Sequence, residues 1–141
     1  MNPKQFLVIG GIVLLLVGIL GYIGVIGPTP DQSIFGEAWW FGDGENLAHT
    51  VLGVVALIAA YTLKSTEAQK WLVVVVGVVA LVFTVIGFAV YNSTAELNIG
   101  VANLENPSDN ILHLVVGLWA LAAAFMKPKM AVTSGVPGTM N

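Results

Sequence analysis

Cysteine is absent from this chain, which excludes disulfides, thiolate nucleophiles and cysteine-ligated metal or iron–sulfur centres. Charge is nearly absent too: 9% of the 141 residues are charged and 57% are hydrophobic. A soluble domain needs about a quarter charged residues to wet its surface, so a water-exposed globule is excluded. The 5 cations, all lysine, are too few and too scattered to follow a nucleic-acid backbone. Neither serine nor an acidic residue interrupts the apolar runs, and no phosphate-binding loop is present. Hydrolytic chemistry therefore lacks its parts; no catalytic residue is assigned, and the chain reads as non-enzymatic.

What the chain has instead is four apolar runs. Phe6 to Ile26, Leu47 to Leu63, Trp71 to Tyr91 and Ile111 to Met126 contain no charge. A hydrocarbon core about 30 Å thick needs roughly 20 apolar residues on a helix. Strands would alternate polar and apolar residues to close a barrel, and these runs do not. The expectation is an all-α integral membrane protein, a four-transmembrane-helix bundle with helices at about 5–27, 46–64, 70–91 and 109–127. They form one domain, residues 1–129, followed by a tail, 130–141, rich in Gly, Pro, Ser and Thr and read as flexible and cytoplasmic. The first run is long for a signal-peptide core and lacks a small-residue cleavage site, so it is expected to stay as an anchor.

The few charges are segregated. Lys4, Lys64, Lys70, Lys127 and Lys129 fall on one side of a four-span topology, with Glu67. Asp31, Glu37, Asp43, Glu45, Glu96, Glu105 and Asp109 fall on the other. Lysine excess marks the cytoplasmic side, so both termini are expected inside. Asn92-Ser-Thr94, a formal glycosylation sequon, would lie outside.

One motif occurs twice, 64 residues apart. Asn46-x-x-His49-x-x-x-Gly53-x-x-Ala56-Leu57-x-Ala59-Ala60 is repeated as Asn110-x-x-His113-x-x-x-Gly117-x-x-Ala120-Leu121-x-Ala123-Ala124. The 2 histidines of the chain hold the same slot in both copies. Each copy follows a long outer loop, and Gly36 aligns with Gly100 at the same offset. Each unit contains two spans, so the fold should consist of two parallel two-helix repeats. The short Lys64–Lys70 connection predicts that the second and third helices are antiparallel neighbours.

On a helix, Asn46, His49, Gly53, Ala56 and Ala60 form one stripe, as do Asn110, His113, Gly117, Ala120 and Ala124. Small residues let membrane helices approach closely. The stripes are expected to face the interior, or each other. Aromatics of the first outer loop, Phe35, Trp39, Trp40 and Phe41, fit an interfacial belt. Trp71 fits an inner-interface anchor, and Trp119 fits helix packing. Asp43, Glu45 and Asp109 suit helix N-termini.

The leading reading of the histidines is structural: a neutral ring bonded to its Asn, a loop carbonyl or an outer carboxylate, pinning loop to helix. The alternatives are axial ligation of haem or a chlorophyll-type pigment by His49 and His113, with Gly53 and Gly117 making room; a pH-responsive or proton or small-molecule pathway; and a divalent metal with loop carboxylates. The reading kept is no cofactor and no metal. The partners expected are the lipid bilayer and either a homo-oligomer or a larger membrane complex, with no nucleic acid.

The duplicated motif, with a Phe-Gly or Ile-Gly step in the preceding loop, resembles a bacterial family of small four-span membrane proteins catalogued as a domain of unknown function. Ser108-Asp109-Asn110-Ile-Leu-His113-Leu-Val-Val-Gly117 carries the resemblance most fully, and Glu45-Asn46-Leu-Ala-His49-Thr-Val-Leu-Gly53 keeps the Asn, His and Gly. The resemblance runs from the first helix to the fourth. It implies four helices in the bacterial cytoplasmic membrane and brings no activity.

Overall fold

The computed structural model describes residues 1–89, 97–98, 103–104 and 107–126. Four helices, α1 (Pro3–Tyr22), α2 (Asp43–Thr62), α3 (Thr66–Ala89) and α4 (Ser108–Phe125), are each long and apolar enough to cross a membrane. The spanning elements are all helical, and the protein is a multi-pass membrane bundle. Mean hydropathy is 1.3 for α2 and 1.4 for α4 against 2.3 and 3.0 for α1 and α3. The two motif helices are less apolar because their first turns carry acid, Asn and His.

Local chemistry sets the helix ends. Asn2 Oδ1 accepts the Gln5 N–H at 2.9 Å and the Asn2 N–H reaches Gln5 Oε1 at 3.0 Å, a reciprocal cap with Pro3 in the first turn. At the other end, α1 stops at Tyr22, short of the apolar run. Gly24 takes a φ of +79°, and the Val25 N–H closes on the Leu20 carbonyl at 2.9 Å, while Gly24 N–H lies 3.4 Å from Gly21 O. This Schellman closure needs a left-handed residue that glycine supplies. The apolar Ile23–Ile26 stretch therefore belongs to the outer cap and not to a helix.

Contacts are concentrated within sequential pairs: α1 packs along α2, and α3 along α4. Lesser contacts join α1 to α3 and to α4. The expectation that α2 and α3 are packed neighbours is corrected. They meet at their connection, where the buried Gln69 amide donates to the carbonyls of Leu63 (2.7 Å) and Ala60 (3.3 Å), but share no extended interface. Sequence adjacency binds only their ends, because the small faces of α2 and α3 are already used by α1 and α4. The core lies toward the lysine end: Phe6, Leu7, Ala60, Val73, Ala120 and Ala123 are buried. Phe6 meets Trp119 edge-on at 4.6 Å, joining α1 to α4. Large residues such as Val54, Val85 and Leu118 face outward, as hydrocarbon contact permits. Trp71 is exposed beside Lys70, whose ammonium lies 5.5 Å from the ring centroid.

The first outer loop crosses the bundle end through two 3₁₀ turns, Pro30–Gln32 and Gly36–Ala38. Backbone bonds from Ile34 to Val25 (3.0 Å) and from Phe41 to Ile26 (2.7 Å) fold it on itself. Of the second loop, β1 (Leu97–Asn98) pairs antiparallel with β2 (Asn103–Leu104). Asn92, Gly100 and residues 130–141 lie outside the described residues, and with them the sequon, the loop glycine pairing and the tail.

Candidate functional site

The motif stripes meet the preceding helix of their own pair. On α2, Gly53 faces the backbone of α1: a Cβ built there would lie 2.7 Å from Leu15 N and 2.8 Å from Gly11 O. On α4, Gly117 faces Leu81 and the Gly77 carbonyl, at 2.8 and 3.1 Å from such a Cβ. Two crossings of the same kind are built, Gly11 against Gly53 and Gly77 against Gly117. The alternative expectation, that the two stripes face each other, is corrected accordingly: each faces the other helix of its own pair. Close backbone approach is the driving interaction where both partners are otherwise in lipid, and α1 and α3 supply the matching glycine faces.

One notch per pair holds the asparagine. Asn46 and Asn110 are fully buried, at 0% exposure. A side chain on Gly21 would occupy the Asn46 amide, and one on Gly87 the Asn110 amide. Each asparagine thus fills the space left by a glycine on the partner helix. Its Oδ1 faces that glycine's Cα, where a weak C–H···O contact is the interaction on offer. Asn46 Nδ2 donates to Phe41 O at 3.2 Å. The Asn46 Oδ1 and both polar atoms of Asn110 have no conventional hydrogen bond among the described residues.

The histidines do something different from what their spacing suggests. His49 Nδ1 lies 2.7 Å from Glu45 O, and His113 Nδ1 lies 2.8 Å from Asp109 O. A carbonyl only accepts, so Nδ1 carries a proton in both rings. Each half-buried ring is therefore bonded to its own helix and, among the described residues, not to Asn or to a loop as expected. Stacking replaces the loop bond: His49 lies on Phe41 (4.9 Å, 25°) and His113 on Phe83 (5.4 Å, 21°).

An acid precedes each asparagine. Glu45 and Asp109 are buried at 4% and 2% exposure. The Glu45 carboxylate accepts the Gly42 N–H at 3.0 Å, capping α2. Asp109 accepts the Trp39 Nε1–H at 2.9 Å, and Ser108 Oγ donates to Ala38 O at 2.9 Å. The first outer loop is thus fastened to the start of α4, linking the two pairs at the outer end. Trp39 also sits at 5.2 Å from Phe35 and 5.1 Å from Phe41, ring to ring. The loop aromatics build a cap over the bundle, which a belt reading alone does not convey.

Of the six motif residues, Asn46 and Gly53 are brought to the α1 interface, and Asn110 and Gly117 to the α3 interface. His49 and His113 stand beside them against aromatic rings. Sequence reasoning treated Glu45 and Asp109 only as helix-start charges, placed Gly21 and Gly87 on small helix faces without seeing that they are the asparagine notches, and missed Phe83 and the Trp39–Asp109 bond. The acids and the notches carried a signal: an acid immediately before Asn in both copies, and glycines repeating 66 residues apart at Gly11/Gly77 and Gly21/Gly87. No group of three or more His, Asp or Glu side chains that could hold a metal ion occurs among the described residues. The room beside Gly53 and Gly117 is taken by α1 and α3.

This arrangement defines a membrane bundle in which two helix pairs are each closed by a glycine crossing and a buried asparagine. The chain belongs to the family described as a domain of unknown function, DUF4383, which matches residues 4–126. That span contains all four helices and both motif copies. No curated protein and no solved structure matches the chain.

Proposed function

We propose that the protein is a non-enzymatic structural or accessory membrane protein, acting as a homo-oligomer or as a subunit of a larger membrane complex. The observation that carries this reading is how the duplicated motif is used. Gly53 and Gly117 make helix crossings, Asn46 and Asn110 fill glycine notches, and both histidines bond their own helices. A motif spent on internal packing leaves the exposed helix faces as the working surface. The matching contacts of the two pairs further support two parallel repeats, and the lysine distribution supports cytoplasmic termini in a bacterial cytoplasmic membrane.

Crosslinking in native membranes tests the role: a discrete oligomer or a specific captured subunit is expected, and a persistent monomer overturns it. Topology has a separate test, convenient because the chain has no cysteine. Ser33→Cys and Asn103→Cys should react with an impermeant maleimide from outside. Labelling from the cytoplasm alone reverses the orientation.

A second reading is favoured by one observation. Metal-bound histidines commonly donate their other N–H to a backbone carbonyl, which fixes the ring orientation, and the Nδ1 atoms of His49 and His113 are held that way, which leaves their Nε2 atoms for a ligand. Axial ligation of haem or a pigment would use those nitrogens. Protein purified with haem available should then show a Soret band lost in His49→Ala and His113→Ala; a colourless preparation removes this reading.

A further inference from the structure

The boundary between the two helix pairs is held at its ends and not along its length. At the lysine end the core draws on all four helices: Phe6 and Leu7 from α1, Ala60 from α2, Val73 from α3, and Ala120 and Ala123 from α4. The Phe6–Trp119 ring contact and the Gln69 amide, bonded to the carbonyls of Ala60 and Leu63, lie at the same end. There the chain itself joins the pairs, through residues 63–65. Further out, α2 shares no extended interface with α3 or α4. An entirely apolar crevice of about 150 Å³ lies between the pairs, walled in part by Gly11, Leu14, Leu52, Val76 and Val116. Atoms that face such a gap find no protein partner across it, so it adds no attraction between the pairs. At the outer end, among the described residues, the first loop makes the join. The Trp39 Nε1–H donates to the Asp109 carboxylate at 2.9 Å, and Ser108 Oγ donates to Ala38 O at 2.9 Å.

The loop is tied to the two pairs by different means. Its own chain continues into α1 and α2, and the bonds from Ile34 N to Val25 O and from Phe41 N to Ile26 O, with Phe41 stacked on His49, fix it to the first pair. Its hold on the second pair is two side-chain bonds at adjacent residues, one exposed and one part-buried, whose groups water can serve once they part. Each pair is closed within itself by its glycine crossing and its notch, so parting the outer ends breaks neither. We propose that Ala38 and Trp39 form a latch on the start of α4, and that release of this latch lets the two pairs pivot about the lysine-end core and open the bundle at its outer end. Opening uncovers Asp109, buried at 2% exposure where Trp39 meets it. It also moves His49 away from His113 and Asp109, both within electrostatic reach of it in the closed bundle. The latch is independent of the accessory role proposed above.

Because the chain has no cysteine, pairs of spin labels report each end separately. Leu47→Cys with Ile111→Cys marks the outer ends of α2 and α4, and Ile58→Cys with Met126→Cys marks their lysine ends; all four side chains are exposed. Distances are read by pulsed electron double resonance on the full chain in lipid nanodiscs, with the latch intact and in the double variant Trp39→Phe, Ser108→Ala. That variant removes both donors and keeps a ring against Phe35 and Phe41. A hydrogen bond to a charged group is worth a factor of about 10–100 in an equilibrium, and a neutral one a factor of about 2–10. The double variant should therefore raise the ratio of open to closed bundle about tenfold or more. A longer outer distance should appear, while the lysine-end distance keeps its wild-type value. Each single variant should act in the same direction, Trp39→Phe more strongly than Ser108→Ala, and the single variants decide the matter should the double variant not fold. An outer distance that no variant changes overturns the latch. Lengthening at both ends overturns the pivot, and so does lengthening at the lysine end alone.

Discussion

In the α1–α2 pair the motif histidine stacks on Phe41, a residue of the outer loop, whereas in the α3–α4 pair it stacks on Phe83, a residue of the neighbouring helix. The asparagines differ in the same sense. Asn46 donates to the Phe41 carbonyl, while the Asn110 amide makes no conventional hydrogen bond among the described residues. Below that level the pairs match, with a glycine crossing and a glycine notch in each. The difference separates two tasks that the duplicated motif merges in sequence. Helix pairing is carried by Gly and Asn and is duplicated. Among the described residues, loop attachment is carried by Phe41, which meets the motif of the first pair, and by Trp39, which reaches Asp109 of the second. Phe41 presents its ring to His49 and its carbonyl to Asn46, so the first loop is tied to its motif at two points.

If pairing is the shared task, both notches should be equally intolerant of bulk. Gly21→Val and Gly87→Val each drive a side chain into a buried amide, and overpacking of this kind costs about 3 kcal/mol. Thermal unfolding in detergent, followed by circular dichroism, should show large and similar losses. A tolerated substitution in one pair alone would end the equivalence of the notches. A smaller effect should expose the asymmetry. Asn46→Ala leaves the Phe41 carbonyl without its donor and should cost about 2 kcal/mol. Asn110→Ala removes an amide without that bond and should cost roughly half as much or less. Equal losses would show that the two asparagines act only as volume.

Much of this was legible in the sequence because the bilayer leaves the chain few options. Four uncharged runs demand four helices, and the 64-residue repeat singles out Asn, His and Gly. What could not be read was the partner of each stripe. A stripe of Gly and Ala says that another helix comes close but not which one. Here the decision rested on Gly11, Gly21, Gly77 and Gly87, whose 66-residue spacing only acquires meaning once α1 is laid on α2 and α3 on α4. The histidine contacts were hidden for a local reason, since any helical imidazole can turn back to its i−4 carbonyl. The early end of α1 was hidden because Ile23, Val25 and Ile26 are as apolar as the helix itself, and Gly24 among many glycines gave no distinct signal. Trp39 and Asp109 are 70 residues apart, and no periodicity reports such a contact.

The smallest effects should come from the histidines, and they distinguish the pairs by location instead of by size. The carbonyl that each Nδ1–H reaches lies on its own helix, where the backbone ladder remains in either variant. Loss of a ring contact is worth about 0.5–1.5 kcal/mol, so His49→Ala and His113→Ala should lower stability by similar, modest amounts. Hydrogen exchange should then tell them apart. His49→Ala removes the surface under Phe41, so exchange should rise at Phe41, whose N–H is bonded to Ile26 O, and at the 3₁₀ turns before it. His113→Ala removes a contact with Phe83 and should leave that loop protected. The Trp39–Asp109 bond makes the opposite outcome informative. Asp109 holds His113 by its backbone carbonyl and the first loop by its carboxylate. If His113→Ala also loosens the first loop, the two outer ends act as one cooperative unit through Asp109, and the separation between pairing and loop attachment holds only within the first pair.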